Sequence, residues 1–94
     1  MYKYESIIVL RPELEEEPRL ALLERFKEVI GRNGTVESVD DWGIKRLAYE
    51  IDKVRDGYYY LINFEADHDL PKELERNYKI NDQVLRYNII RKDA

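Results

Sequence analysis

The chain has 94 residues, 44% of them hydrophobic and 38% charged, which is enough for one buried core but not for two. It contains no cysteine, which excludes disulfides and thiolate metal sites and fits a reducing cytoplasm. A formal net charge of −4 excludes nucleic-acid binding by bulk charge alone. The charge is unevenly spread: Glu13, Glu15, Glu16 and Glu17 sit together, whereas Arg86, Arg91 and Lys92 collect near the C-terminus. No apolar run approaches the length of a membrane span and no signal-peptide pattern precedes Tyr2, so neither membrane insertion nor export is expected.

In chain order, Tyr2 to Leu10 reads as a central strand, with Tyr4, Ser6, Ile8 and Leu10 facing one way and Lys3, Glu5, Ile7 and Val9 the other. Arg11-Pro12 ends it, because proline has no donor for a ladder. Glu16 to Arg32 has the spacing of a helix, with Pro18 in the first turn and Leu22, Leu23, Phe26, Val29 and Ile30 as its apolar stripe. Asn33-Gly34 is expected to stop it through a left-handed residue.

Thr35 to Asp41 begins the second strand, and Gly43 marks a bulge. Beyond it, Leu47, Tyr49 and Ile51 are expected on a core face, opposite Arg46, Ala48 and Glu50. Asp56-Gly57 supplies the positive φ of a tight turn, which makes Gly43 to Phe64 a long hairpin. Gly57 to Ala66 is the third strand, with Tyr60, Ile62, Phe64 and Ala66 on one face. Asp67-His68-Asp69 caps a helix from Leu70 to about Lys79 that buries Leu70, Leu74 and Tyr78. Asn81-Asp82 breaks it, and Val84 to Arg91 is the last strand.

The order β-α-β-β-α-β predicts an α+β fold across 1–94 as a single domain. It is a ferredoxin-like split β-α-β: a four-stranded antiparallel sheet with both helices on one face. Right-handed crossovers place the first and third strands centrally. The other face stays bare, and Lys3, Glu5, Ile7, Val9, Arg46, Ala48, Tyr59, Leu61, Arg86, Asn88 and Ile90 are expected there. That mixture of apolar and charged groups suits a macromolecular partner.

Chemistry is sparse. His68, the only histidine, is flanked by Asp67 and Asp69, but no serine, cysteine or metal cluster accompanies it, and the local sequence is that of a helix cap. Asp40 and Asp41 are neighbours in a strand and point to opposite faces. No P-loop, dinucleotide fingerprint or metal-ligand spacing occurs, so no enzyme, cofactor or small-molecule substrate is expected. The stretch Asp56 to Asn63 matches the base-stacking pattern of single-strand RNA binders only in part, and its parity turns Tyr60 inward. Lys45, Arg46, Arg86, Arg91 and Lys92 remain as candidate phosphate contacts. Ile7, Val9, Tyr59, Leu61 and Ile90 are the candidate contacts to a protein.

Gly43-Ile44-Lys45-Arg46-Leu47-Ala48-Tyr49-Glu50-Ile51-Asp52-Lys53 with Gly57-Tyr58-Tyr59 resembles the signature of the bacterial small-subunit ribosomal protein six family. The opening Tyr4-Glu5 and the closing Asn81-Asp82-Gln83-Val84-Leu85-Arg86-Tyr87 belong to the same pattern. The resemblance covers the whole chain. It implies a non-catalytic, cytoplasmic ribosomal protein that pairs with small-subunit ribosomal protein eighteen and binds the central domain of the small-subunit ribosomal RNA. Carried over, the family's basic pair falls on Lys45 and Arg46, its strand-four arginine on Arg86 and its terminal cations on Arg91 and Lys92. Tyr2 stands where basic residues are common, leaving Lys3 as the N-terminal RNA contact, and Tyr49 is assigned to the core. The competing reading is a self-associating or small-molecule regulatory module on the same fold.

Overall fold

Alternation between buried and half-buried positions makes β1 (Tyr2–Leu10) the middle of the sheet: Tyr4, Ser6, Ile8 and Leu10 are 6% exposed or less. The computed structural model describes residues 1–92; Asp93 and Ala94, the end of the expected domain, lie outside the described residues. After β1 come α1 (Glu16–Gly31), β2 (Gly34–Ile51), β3 (Val54–Ala66), α2 (Leu70–Lys79) and β4 (Val84–Arg91). The strands form one antiparallel sheet in the order β2-β3-β1-β4, with the first and third strands central as expected.

Both helices pack on the same face. Leu22, Leu23, Phe26, Val29 and Ile30 of α1 meet Leu70, Leu74 and Tyr78 of α2 and the inward residues of β1 and β3 in one core. Phe26 and Tyr78 meet edge to face at 4.8 Å, and Tyr4 stacks on Phe64 at 5.4 Å. Ser6, the one buried polar residue among the described residues, shares a 2.8 Å hydrogen bond with the Tyr78 hydroxyl. Burial pushes the Tyr78 phenol well above its ordinary pKa, so it stays protonated. Asp67 Oδ1 accepts from the N–H groups of Asp69 and Leu70 and so closes the expected turn into α2, while Asp69, at the N-cap position, makes no capping hydrogen bond through its side chain.

Three local expectations are corrected. First, no left-handed residue ends α1: Arg32 N and Asn33 N donate to Val29 O and Ile30 O in a tightened last turn. Gly34 instead opens β2 opposite Ala66, where a Cβ would collide with the Glu65 carbonyl. Second, the hairpin turns at Asp52-Lys53, not at Asp56-Gly57. Ile51 pairs with Val54, and the two turn residues have φ of 49° and 66°, as a two-residue primed turn requires. Gly57 lies inside β3 opposite Lys45, and a Cβ on it would strike Val9.

Third, the outer part of β2 presents the opposite parity from the one expected. Leu47 is buried, but beside Val9 over Gly57 on the face away from the helices, and outside the main core. Tyr49, expected in the core, is 64% exposed. The register shifts between Val36 and Ser38 and again at the Gly43 bulge, where Asp41 opposes Tyr60 and Gly43 opposes Tyr59. Trp42 is thus an extra residue, and Ile44 to Arg46 take the opposite parity from Val39 and Asp41. The ladder is interrupted once more between Arg46 and Ile51, where Tyr49 lies.

Candidate macromolecular interface

The register assembles the helix-free face strand by strand. β1 contributes Lys3, Glu5, Ile7 and Val9; β3 contributes Tyr59, Leu61, Asn63 and Glu65; β4 contributes Arg86, Asn88 and Ile90. Ile7, Tyr59 and Leu61 are half-buried and Ile90 is 48% exposed, so the middle of this face is an open apolar strip. Ile7, Val9, Tyr59, Arg86, Tyr87 and Asn88 line a shallow groove of ≈ 190 Å³ at one end of it. Val9 was expected as a partner contact, yet it is 2% exposed. It forms the floor of the groove, because Leu47 folds over it from the outer hairpin.

The bulge arms that same end. Gly43 has φ of 72°, a left-handed conformation suited to glycine, and its N–H donates to Asp41 Oδ1 at 2.9 Å. Trp42 turns onto the helix-free face and stacks on Tyr59 at 6.5 Å and 21°. Lys45 Nζ lies 4.9 Å from the Trp42 ring centre, so an aromatic pair and a cation share one patch. Arg86 stands across the groove, opposite Val9, with its guanidinium carbon 5.8 Å from the Tyr49 ring.

The six expected phosphate contacts therefore do not form one strip. Lys45 and Arg86 flank the groove. Arg46 sits opposite Asp56 and points to the other side of the hairpin, because the bulge gave its place to Lys45. Arg91 opposes Tyr4 and belongs to the helix-covered side, where its guanidinium carbon lies 4.0 Å from the Tyr2 ring. Lys92 is at the far end of the helix-free face: its Nζ donates to Asn63 Oδ1 and its backbone N–H to Lys3 O. Lys3 pairs there with Glu37 at 3.5 Å, close to Glu5 and Glu65. That end is of mixed charge, and the Lys45–Arg86 end is the more basic one. Trp42 was not anticipated; the glycine that follows it was the available signal, once a bulge is followed through to its effect on parity.

Elsewhere the chemistry is bland. His68 is exposed, with Nε2 3.5 Å from Asp69 Oδ1 on the turn before α2. No cluster of potential metal ligands occurs among the described residues, and no described helix is long and apolar enough to cross a membrane.

A family model for ribosomal protein S6 matches residues 3–91, which takes in both helices and all of the four strands but Tyr2, and leaves out only Lys92 of the residues placed on the helix-free face above. The chain belongs to the ribosomal protein S6 family. It is 54% identical over 91 residues to small ribosomal subunit protein bS6 of Alkaliphilus oremlandii, covering 97% of each chain. With the bS6 protein of Clostridium perfringens strain SM101 it shares 53% over 94 residues, 99% of each chain. The crystal structure of 30S ribosomal protein S6 from Thermotoga maritima superposes with a TM-score of 0.91 at 33% identity, covering 97% of this chain and 87% of that one. The ferredoxin-like architecture is thus that of the S6 family, whose members are proteins of the small ribosomal subunit and not enzymes.

Proposed function

We propose that this S6-family chain binds the central domain of the small-subunit ribosomal RNA jointly with small-subunit ribosomal protein eighteen. The observation that carries the reading is the helix-free face itself: an apolar strip of Ile7, Leu61 and Ile90, with Tyr59 and Trp42 beside it and Lys45 and Arg86 at its basic end. Apolar and aromatic side chains at the middle of a patch supply protein–protein contact, whereas cations at its rim supply phosphate contact. An acidic protein with one basic end gains little from RNA alone. Docked on a partner, it binds through raised effective concentration.

Gel shifts with a central-domain RNA fragment, using each protein alone and both together, test this. The lone chain binds weakly and the pair binds tightly. Tight binding by the lone chain, or no gain from the partner, contradicts the proposal. Arg86→Glu in the pair flattens the dependence of log K on log salt by about one unit or more if Arg86 meets phosphate.

A further inference from the structure

We propose that Arg19, Tyr58 and Asp41 form a brace that fixes the β2 bulge, and that Asp41 is the positioning residue that brings Trp42 and Lys45, rather than Arg46, to the interface. The role of Lys45 in assembly rests on the function proposed above; the brace itself rests on geometry.

A bulge is a choice of register, and burial normally makes that choice. Here burial acts through one residue only. Beyond the bulge Leu47 is buried, but Ile44 is 60% exposed and Tyr49 64% exposed, so apolar contact favours this parity at a single position. A local polar device is needed, and Asp41 supplies it with both carboxylate oxygens. Oδ1 accepts the Gly43 N–H at 2.9 Å, closing a turn around Trp42 within β2. Oδ2 accepts the Tyr58 hydroxyl at 2.9 Å, tying that turn to the neighbouring strand.

Tyr58 is in turn held from α1. The Arg19 guanidinium carbon lies 4.0 Å from the Tyr58 ring centre, and Arg19 Nε donates to the Tyr60 hydroxyl at 2.9 Å. The Tyr58 and Tyr60 rings themselves sit 5.2 Å apart. The Tyr58 phenol is pushed up to about 12, by desolvation first and by its bond to Asp41 second, so it remains a donor at working pH. The connection thus runs from the helix-covered side to the strand position whose extra residue emerges on the other side.

Trp42 is the only tryptophan, so its emission and near-ultraviolet circular dichroism report the bulge directly. In the full chain, Asp41→Ala is expected to abolish the dichroic signature of the Trp42–Tyr59 stack while far-ultraviolet dichroism stays that of the parent. Asp41→Asn, which keeps an acceptor for Gly43, restores most of it. An unchanged Trp42 signal in Asp41→Ala overturns the brace. Should Asp41→Ala fail to fold, Tyr58→Phe, which deletes one hydroxyl, carries the same comparison.

In joint assembly with the partner and RNA, Asp41→Ala weakens binding about threefold to tenfold, and Lys45→Ala costs less in that background than in the parent. Strict additivity overturns the positioning role. If Lys45→Ala changes nothing in the parent while the Trp42 signal still responds to Asp41, the brace stands and the assignment of Lys45 to assembly fails.

Discussion

Tyr60, Ile62, Phe64 and Ala66 on the inner half of β3 are 1% exposed or less beneath the helices, whereas between Ile44 and Arg55 on the outer hairpin only Leu47 is buried. The inner half is placed by apolar burial, and a slip of one residue there would turn four core side chains to water. The outer half is placed by short-range devices. These are the bulge at Trp42-Gly43, the left-handed turn at Asp52-Lys53, the close approach of Gly57 to Val9, and the ion pair of Arg11 with Asp52 at 3.2 Å. The same two strands thus serve as core at one end and as the frame of the proposed interface at the other.

The sharpest way to test this division is to truncate one apolar residue in each half. Phe64→Ala removes a fully buried ring stacked on Tyr4 and is expected to cost about 3–5 kcal/mol, measured by urea unfolding. Leu47→Ala is expected to cost about 2 kcal/mol, the low end for such truncations, because its site is open on one side and can relax. Equal losses at both positions would mean that the outer half is as firmly packed as the inner, and the distinction would fall.

Legibility in the sequence divides along the same line. The apolar stripe of α1 and the inward residues Tyr60, Ile62 and Phe64 follow from periodicity, because burial enforces period. The bounds of β1, α2 and β4 follow from it together with the breakers Pro12, Asp67-His68-Asp69 and Asn81-Asp82. The order of elements then leads to the sheet topology and to the bare face. What escaped were the positions governed by other causes. Gly34 and Gly57 resemble turn glycines in sequence, but both serve close approach of neighbouring atoms, a requirement that only tertiary structure reveals. The true turn carries an aspartate and a lysine, which have no strong turn signature as a pair. Lys45 and Arg46 are adjacent cations, and which of them reaches the helix-free face depends on the register shifts upstream, at Val36/Ser38 and Asp41/Gly43. Arg91 was grouped with Arg86 by charge, although an odd separation along β4 puts them on opposite faces.

The smallest expected effect probes the turn itself. Lys53 has φ of 66°, a conformation in which an L side chain crowds the backbone at a cost of about 1–2 kcal/mol. Lys53→Gly removes that crowding, while glycine's extra freedom in the unfolded chain returns about 0.5–1 kcal/mol of the gain. A net stabilisation of about 0.5 kcal/mol should raise the melting temperature by about 2–4 °C. The variant leaves Asp52 and its ion pair with Arg11 in place, so the gain isolates the backbone contribution. Lys53→Val is the matched control: a β-branched side chain in the same conformation should lower the melting temperature. If both substitutions lowered it, the lysine side chain rather than the turn geometry would be holding the tip, and the outer hairpin would owe its shape to side-chain contact after all.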